Sequence, residues 1–125
     1  MKGFSLSSSG SATSAHQQNL GILISGRGSN MQAIIQAIKA GRLNANVHVV
    51  ISNKKEAKGL ELAREHGIPT AAFSPKDYPS KEAYEADILS CLNEHGVGLL
   101  ILAGYMRLVG PTLLNAYENR MLNIH

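Results

Sequence analysis

The chain has 125 residues, 44% of them hydrophobic and 17% charged, a composition that is ordinary for one globular domain with a buried core. No apolar run approaches the roughly 20 residues that a membrane-spanning helix needs, and a net charge of +3 is too small to indicate nucleic-acid binding. The single cysteine, Cys91, excludes an internal disulfide, fits a reducing compartment and, with five scattered histidines, argues against a metal site.

Charge is divided unevenly along the sequence. Residues 1–55 contain six Lys or Arg and no Asp or Glu, whereas residues 56–125 contain six bases and nine acids, so the two parts carry +6 and −3. An acid-free first part favours a small anionic ligand. A chance distribution of surface lysines is the alternative.

Residues 1–19 predict a disordered, Ser-rich extension. The stretch MKGFSLSSSGSATSAHQQN has six serines and no acid, which is a composition that cannot bury a core. It lacks the apolar segment of a secretory signal, and its one basic residue, Lys2, gives little support to an organelle transit peptide. We therefore expect a cytoplasmic protein whose folded domain covers residues 20–125.

Short apolar runs recur from residue 20 onward and predict five strands. They are LGILIS (20–25), VHVVIS (47–52), TAAF (70–73), GLLILAG (98–104) and MLNIH (121–125). Helical patterns separate them, so the sequence predicts an α/β fold with a Rossmann-like, mostly parallel sheet and flanking helices. Ligands of such sheets bind beyond the carboxyl ends of the strands.

Four helices are expected between these strands. One is capped by Ser29 or Asn30 and ends at Gly41, one covers residues 56–66, one runs from Ser80 to Gly96, and a short one begins at Pro111. The third has an apolar face formed by Tyr84, Ile88, Cys91, Leu92 and His95. We interpret Cys91 as part of the core.

The stretch ISGRGSN (24–30) lies between the first strand and the first helix. Gly26 and Gly28 would let the backbone approach a ligand, and the helix N-terminus offers free N–H groups, so phosphate is the expected guest. A dinucleotide fingerprint is excluded because Met31 stands where its third glycine would be. A tight turn without a ligand is the alternative.

Two further stretches favour chemistry. LAGYMRLVGP (102–111) follows the most apolar strand and suits the wall of a flat heterocycle, although a plain loop with a solvated Arg107 would also explain it.

Asn123 and His125 fall on one face of the last strand, roughly 6–7 Å apart. An amide can donate to an oxyanion and an imidazole can supply a proton, as acyl transfer requires. A terminal Asn-x-His without function is the alternative.

The segments ISGRGSNMQAII, LAGYMRLVGPTLL and RMLNIH, in this order and spacing, resemble the phosphoribosylglycinamide formyltransferase family of folate-dependent enzymes. The resemblance implies transfer of a formyl group from 10-formyltetrahydrofolate to the amine of glycinamide ribonucleotide in purine biosynthesis, without a metal. It implies that Gly28, Ser29 and Asn30 hold the ribonucleotide phosphate and that Asn123 and His125 are catalytic. Folate would lie against Leu102, Met106, Arg107, Leu108 and Val109.

The sequence departs from the family pattern after His125. Family members continue into a Pro-Ser-Leu-Leu-Pro segment and later supply an Asp that orients the histidine. The resemblance therefore implies an amino-terminal portion, truncated after the fifth strand, that is weakly active or inactive and can self-associate through its exposed sheet edge. The alternatives are a phosphate- or nucleotide-binding module without chemistry, and another formyltetrahydrofolate enzyme such as a deformylase.

Overall fold

A parallel sheet forms the centre of the protein in the computed structural model, which describes residues 17–124. Its five strands are β1 (Gln18–Ile24), β2 (Ala45–Ser52), β3 (Thr70–Ala72), β4 (Leu99–Ala103) and β5 (Met121–Ile124). They lie in the order β3-β2-β1-β4-β5, and every neighbouring pair is parallel. The predicted α/β fold and its five strands are confirmed. Residues 1–16, which hold most of the predicted extension, and His125 lie outside the described residues.

Four α-helices connect the strands. They are α1 (Ser29–Lys39), α2 (Lys58–Glu65), α3 (Lys81–Glu94) and α4 (Pro111–Ala116), and a short 3-10 turn that the sequence did not predict covers Pro75–Asp77. Ser80 caps α3 as predicted, since its hydroxyl accepts a hydrogen bond from the Ala83 N–H at 3.1 Å. Within residues 17–124 no helix combines the length and the apolar content needed to cross a membrane.

Several predicted boundaries differ from the structure by one or two residues, among them the start of β2, which is Ala45 and not Val47, and two others show the reason. β1 begins at Gln18 and not at Leu20, because Gln18 and Asn19 pair with the first residues of β2 despite their polar side chains. α2 begins at Lys58, two residues later than predicted, because Ala57 has an extended backbone that precedes the helix. Pairing and backbone geometry, which composition does not record, set both boundaries.

Each face of the sheet carries its own apolar core. Ile22 and Ile24 of β1 pack with α1 and α2 on one face, and Leu23 packs with α3 and α4 on the other. On the predicted apolar face of α3, Tyr84, Ile88, Cys91 and Leu92 are buried, and burial raises the pKa of the Cys91 thiol. Cys91 therefore belongs to the core as expected. The neighbouring Glu85, which no pattern had singled out, is only 2% exposed.

The strand order reverses direction between β1 and β4. β1 connects through α1 toward β2 and β3, whereas β4 connects through α4 to β5 on the opposite side. The loops that leave β1 and β4 therefore diverge and open a crevice at the carboxyl ends of the two strands, where sheets of this kind bind ligands.

We expect the chain to self-associate through β5. Among the described strands β5 pairs only with β4, and Leu122 on it is 53% exposed, so an unpaired edge with an apolar side chain faces solvent. Sedimentation or sizing over a range of concentrations should show a growing mass, and Leu122→Lys should reduce it. Leu43→Lys, at a half-exposed leucine away from this edge, is the control. A monomer at every concentration would contradict the expectation.

Candidate active site at the carboxyl edge of the sheet

The turn from β1 into α1 leaves backbone N–H groups open to a ligand. Gly28 precedes the helix, and no side chain caps it, so the prediction that Ser29 or Asn30 caps α1 is wrong: both lie inside the first turn. The N–H groups of Ser29, Asn30 and Met31 have no acceptor within the helix, whose first internal bond runs from Gln32 to Gly28. The first turn contains no acid, so its positive end is uncompensated.

The two loop glycines have different roles. Gly28 is buried, with a φ of +80°, and a Cβ added there would lie 2.9 Å from the Cα of Gly59 in α2. Its missing side chain therefore serves a close contact between backbones. Gly26 is exposed, and a Cβ there would meet nothing within 4 Å. Close approach of a ligand to the backbone, which the sequence suggested for both glycines, is geometrically open at Gly26.

A cleft of about 310 Å³ lies above this turn. Two cationic side chains, Arg27 and Lys54, line it, and the residues that line it include no acid. Ser52, fully buried at the end of β2, accepts a hydrogen bond from the Lys54 N–H at 3.0 Å and so fixes the turn that presents Lys54. The cleft combines positive charge with free N–H donors, a combination that suits phosphate. It is lined by Ser25, Gly26, Arg27, Gly28, Ser29, Asn30, Lys54, Ala103, Gly104 and Met106.

Residues 104–110, which we call the 104–110 segment, form the second wall. They belong to no helix or strand, and the side chains of Met106 and Leu108 are 78% and 84% exposed. The Met106 N–H donates to the hydroxyl oxygen of Ser25 at 2.8 Å, so the segment is tied to the end of β1. The structure thus brings Met106 beside the glycine turn.

The other predicted folate residues line a separate cleft of about 560 Å³ on the opposite side of the 104–110 segment. Asn123 of β5 is exposed in this cleft, opposite Leu102 in the register of β4 and β5. Met121 packs into one core and Ile124 into the other, so the side chains alternate as predicted. The predicted site residues in this cleft are Leu102, Arg107, Leu108, Val109 and Asn123.

Tyr84 of α3 supports the 104–110 segment through two of the segment's own side chains, Tyr105 and Arg107. The hydroxyl oxygens of Tyr84 and Tyr105 lie 2.7 Å apart, and the Arg107 guanidinium stacks 5.4 Å from the centre of the Tyr84 ring. Burial raises the pKa of both tyrosines, so both are neutral at physiological pH. The pair therefore acts as a neutral support.

A third cleft, of about 600 Å³, continues the basic surface. Lys54, Lys55, Lys76 and Arg107 line it with two acids, of which Asp77 lies 4.0 Å from Lys55. Lys54 borders both this cleft and the glycine turn. Positive charge therefore extends from the glycine turn to the 104–110 segment, which accords with the acid-free first part of the sequence.

One contact links the glycine turn to the last strand. The Asn30 amide donates to the backbone carbonyl of Ile124 at 3.5 Å, across the end of β4, which lies between β1 and β5. The predicted phosphate residue therefore also contacts the strand that carries Asn123. His125, the next residue in the chain, lies outside the described residues, and its role stays a prediction.

Sequence patterns missed two side chains of this region, since Ser25 and Glu85 received no role. A hydroxyl or carboxylate that holds a distant backbone N–H leaves no periodic signal. The one sequence signal that would have found Glu85 is an acid that lies among the apolar residues of a helix face.

Residues 18–125 match the family model of formyl transferases. Phosphoribosylglycinamide formyltransferase of Escherichia coli is 41% identical over 86% of this chain and 50% of its own length, and that of Bacillus subtilis is 43% identical over 83% and 53%. The crystal structure of glycinamide ribonucleotide transformylase 1 from Geobacillus kaustophilus matches with a TM-score of 0.85 and 47% identity, covering 88% of this chain and 58% of that one. The chain spans about half the length of the curated relatives it matches.

Gly28→Ala should destabilise the protein by about 1–3 kcal/mol, because the new Cβ meets the Gly59 backbone and a positive φ is unfavourable for alanine. Gly26→Ala is the matched control. It adds the same methyl group to open space and should change the free energy of unfolding by less than about 0.5 kcal/mol. Urea denaturation measures both. Equal stability of the two variants would show that the glycine contact does not shape the turn.

Proposed function

The chain belongs to the formyl transferase family, and we propose that it carries the ribonucleotide site and part of the folate site of a phosphoribosylglycinamide formyltransferase. The reaction transfers a formyl group from 10-formyltetrahydrofolate to the amine of glycinamide ribonucleotide. One observation above all supports this proposal: an acid-free helix N-terminus with two adjacent cations lies beside a strand that presents an asparagine amide at the same edge of the sheet.

The phosphate of the ribonucleotide would bind at the glycine turn. The free N–H groups of Ser29 and Asn30 donate to its oxygens, and Arg27 and Lys54 neutralise its charge. With the phosphate held there, the rest of the ribonucleotide extends past Met106 toward β5, and its amine reaches the cleft of Asn123. The Asn30 contact with Ile124 links these two parts of the site.

Folate would bind in the cleft between the 104–110 segment and β5. This cleft offers apolar side chains from Leu108, Val109 and Met121 together with backbone groups of an irregular segment, which suits a flat, polar-edged ring. The exposed side chain of Leu108 gains a contact when the ring is present. The fit of these residues to a heterocycle supports 10-formyltetrahydrofolate as the formyl donor.

The chemistry would use the Asn123 amide on β5 and the imidazole of His125, the residue that follows β5 in the sequence. The amine nitrogen attacks the formyl carbon, a new C–N bond forms, and the carbonyl oxygen becomes an oxyanion to which the Asn123 amide donates. The bond between the formyl carbon and the folate nitrogen then breaks. His125 would move the proton lost by the amine to the folate nitrogen that leaves. Both products are neutral at the reacting atoms, so the protons balance without another reactant.

Lys54→Ala should weaken the binding of inorganic phosphate and of glycinamide ribonucleotide by about tenfold, because a charge-assisted hydrogen bond contributes roughly 1.5 kcal/mol or more. Lys55→Ala is the matched control, since Lys55 borders the third cleft and not the glycine turn. Calorimetric titration gives both affinities, and the two ligands should compete. Equal losses in the two variants would place the phosphate elsewhere.

Asn123→Ala should reduce formyl transfer by about 2–4 kcal/mol of transition-state stabilisation, mostly in kcat, as expected for an oxyanion donor. The 125-residue chain alone should turn over negligibly, because the resemblance implies an orienting carboxylate from outside these residues. The assay therefore supplies the carboxyl-terminal half of the Bacillus subtilis relative in trans.

Four outcomes of that assay would overturn parts of the proposal. A change confined to KM would assign binding and not chemistry to Asn123. Full activity of the chain alone would remove the need for the orienting carboxylate. Formate release with water as the acceptor, in the absence of ribonucleotide transfer, would favour a deformylase, and binding without any turnover would favour a module that only binds.

A further inference from the structure

We propose that Glu85 and Ser25 are positioning residues, which hold the two ends of the 104–110 segment and thereby set the shape of the folate cleft. This inference rests on the proposed function for the identity of the ligand. The hydrogen bonds on which it depends are features of the protein itself.

The 104–110 segment needs an external support. None of its residues belongs to a strand or a helix, and the one helical hydrogen bond recorded for it among the described residues is accepted by the Gly110 carbonyl from the Leu114 N–H. Burial holds it only in part, since Met106 and Leu108, two of its three large aliphatic side chains, point into solvent, whereas Tyr105 and Val109 pack against the core. An irregular segment of this kind adopts one conformation only where other elements bind its backbone.

Glu85 binds the backbone at the far end of the segment. Its carboxylate accepts hydrogen bonds from the Gly110 N–H at 2.6 Å and from the Leu113 N–H at 3.2 Å. These are the N-cap residue and a first-turn residue of α4. The two oxygens of one side chain therefore fix both the last residue of the segment and the helix that follows.

The environment of Glu85 shows how closely it fits. The side chain is 2% exposed, and among residues 17–124 its carboxylate has backbone donors as hydrogen-bond partners and no basic side chain in an ion pair with it. A Cβ added to Gly110 would lie 3.1 Å from one carboxylate oxygen, so the glycine leaves room for the acid. A carboxylate buried in this way is costly unless its hydrogen bonds are kept, and its bonds end on the 104–110 segment and α4.

Ser25 binds the near end. It is 3% exposed at the end of β1, and its hydroxyl accepts from the Met106 N–H at 2.8 Å. β1 and α3 are both packed in the cores, so these hydrogen bonds attach the segment to two elements of the core. Leu108 and Val109, which border the folate cleft, lie between the two points of attachment.

The test measures the stability of the hydrogen bonds and the affinity for the ligand separately. Glu85→Ala removes both carboxylate oxygens that accept from the Gly110 and Leu113 N–H groups. Glu85→Gln keeps one accepting oxygen and turns an NH₂ group toward the other N–H. Ser25→Ala removes the hydroxyl oxygen that accepts from the Met106 N–H. Glu82→Gln, an exposed acid one turn earlier on α3, and Ser90→Ala, an exposed serine of the same helix, are the controls. Amide hydrogen exchange is followed by NMR, and binding of 10-formyltetrahydrofolate and of inorganic phosphate by calorimetry, on the whole 125-residue chain.

We expect Glu85→Ala to speed exchange of the Gly110 and Leu113 amides, and Ser25→Ala to speed exchange of the Met106 amide, by about tenfold or more. Folate affinity should fall by a similar factor in both, with a smaller loss in Glu85→Gln. Phosphate affinity of the Glu85 variants should stay within about twofold of the wild type, which a general loss of structure would not allow.

Unchanged amide exchange in the folded variants would show that Glu85 and Ser25 do not hold the ends of the 104–110 segment. Faster exchange with wild-type folate affinity overturns the positioning role. If Glu85→Ala does not fold, Glu85→Gln and Ser25→Ala decide by the same two measurements. A wild-type chain that binds phosphate but no folate overturns the folate part of the proposed function, and amide exchange alone then decides whether the two residues hold the segment.

Discussion

The parallel pairing of β1 with β4 is the constraint on which the candidate site depends. It aligns Leu20–Leu23 with Leu99–Leu102, and so brings the ends of two strands that are far apart in sequence to the same edge. Ser25 then lies within hydrogen-bonding distance of the segment that leaves β4. Because the two loops turn to opposite sides of the sheet, one of them is free to hold an anion and the other to border the cleft that contains Asn123.

The elements of the fold were predictable because burial on both faces of a parallel sheet leaves a plain sequence signal. LGILIS, VHVVIS and GLLILAG are strands for the reason that the sequence indicated, and the family resemblance seen in three motifs is confirmed by the match over residues 18–125. The polar start of β1 was missed, because Gln18 and Asn19 join the sheet through backbone pairing alone.

The detail of the site was less predictable, because it depends on contacts between distant segments. A glycine in a β–α turn looks the same whether it faces a ligand or another backbone, and only the position of Gly59 separates Gly28 from Gly26. Likewise, Ser29 has the side chain of a helix cap, but the left-handed Gly28 already occupies the cap position and places Ser29 inside the helix. Glu85 sat unnoticed in an apolar pattern because its partners are backbone groups 25 and 28 residues away.

The close fit between Gly110 and Glu85 constrains how this protein can vary during evolution. A side chain at position 110 would enter the space that the glutamate carboxylate fills, whereas the carboxylate of an aspartate at position 85 would be one methylene further back. The two positions should therefore change together in related sequences, with a glycine opposite the longer acid and a small side chain opposite the shorter one. The rate at which either position accepts substitutions is then limited by the other, even though one belongs to a core helix and the other to the rim of a cleft.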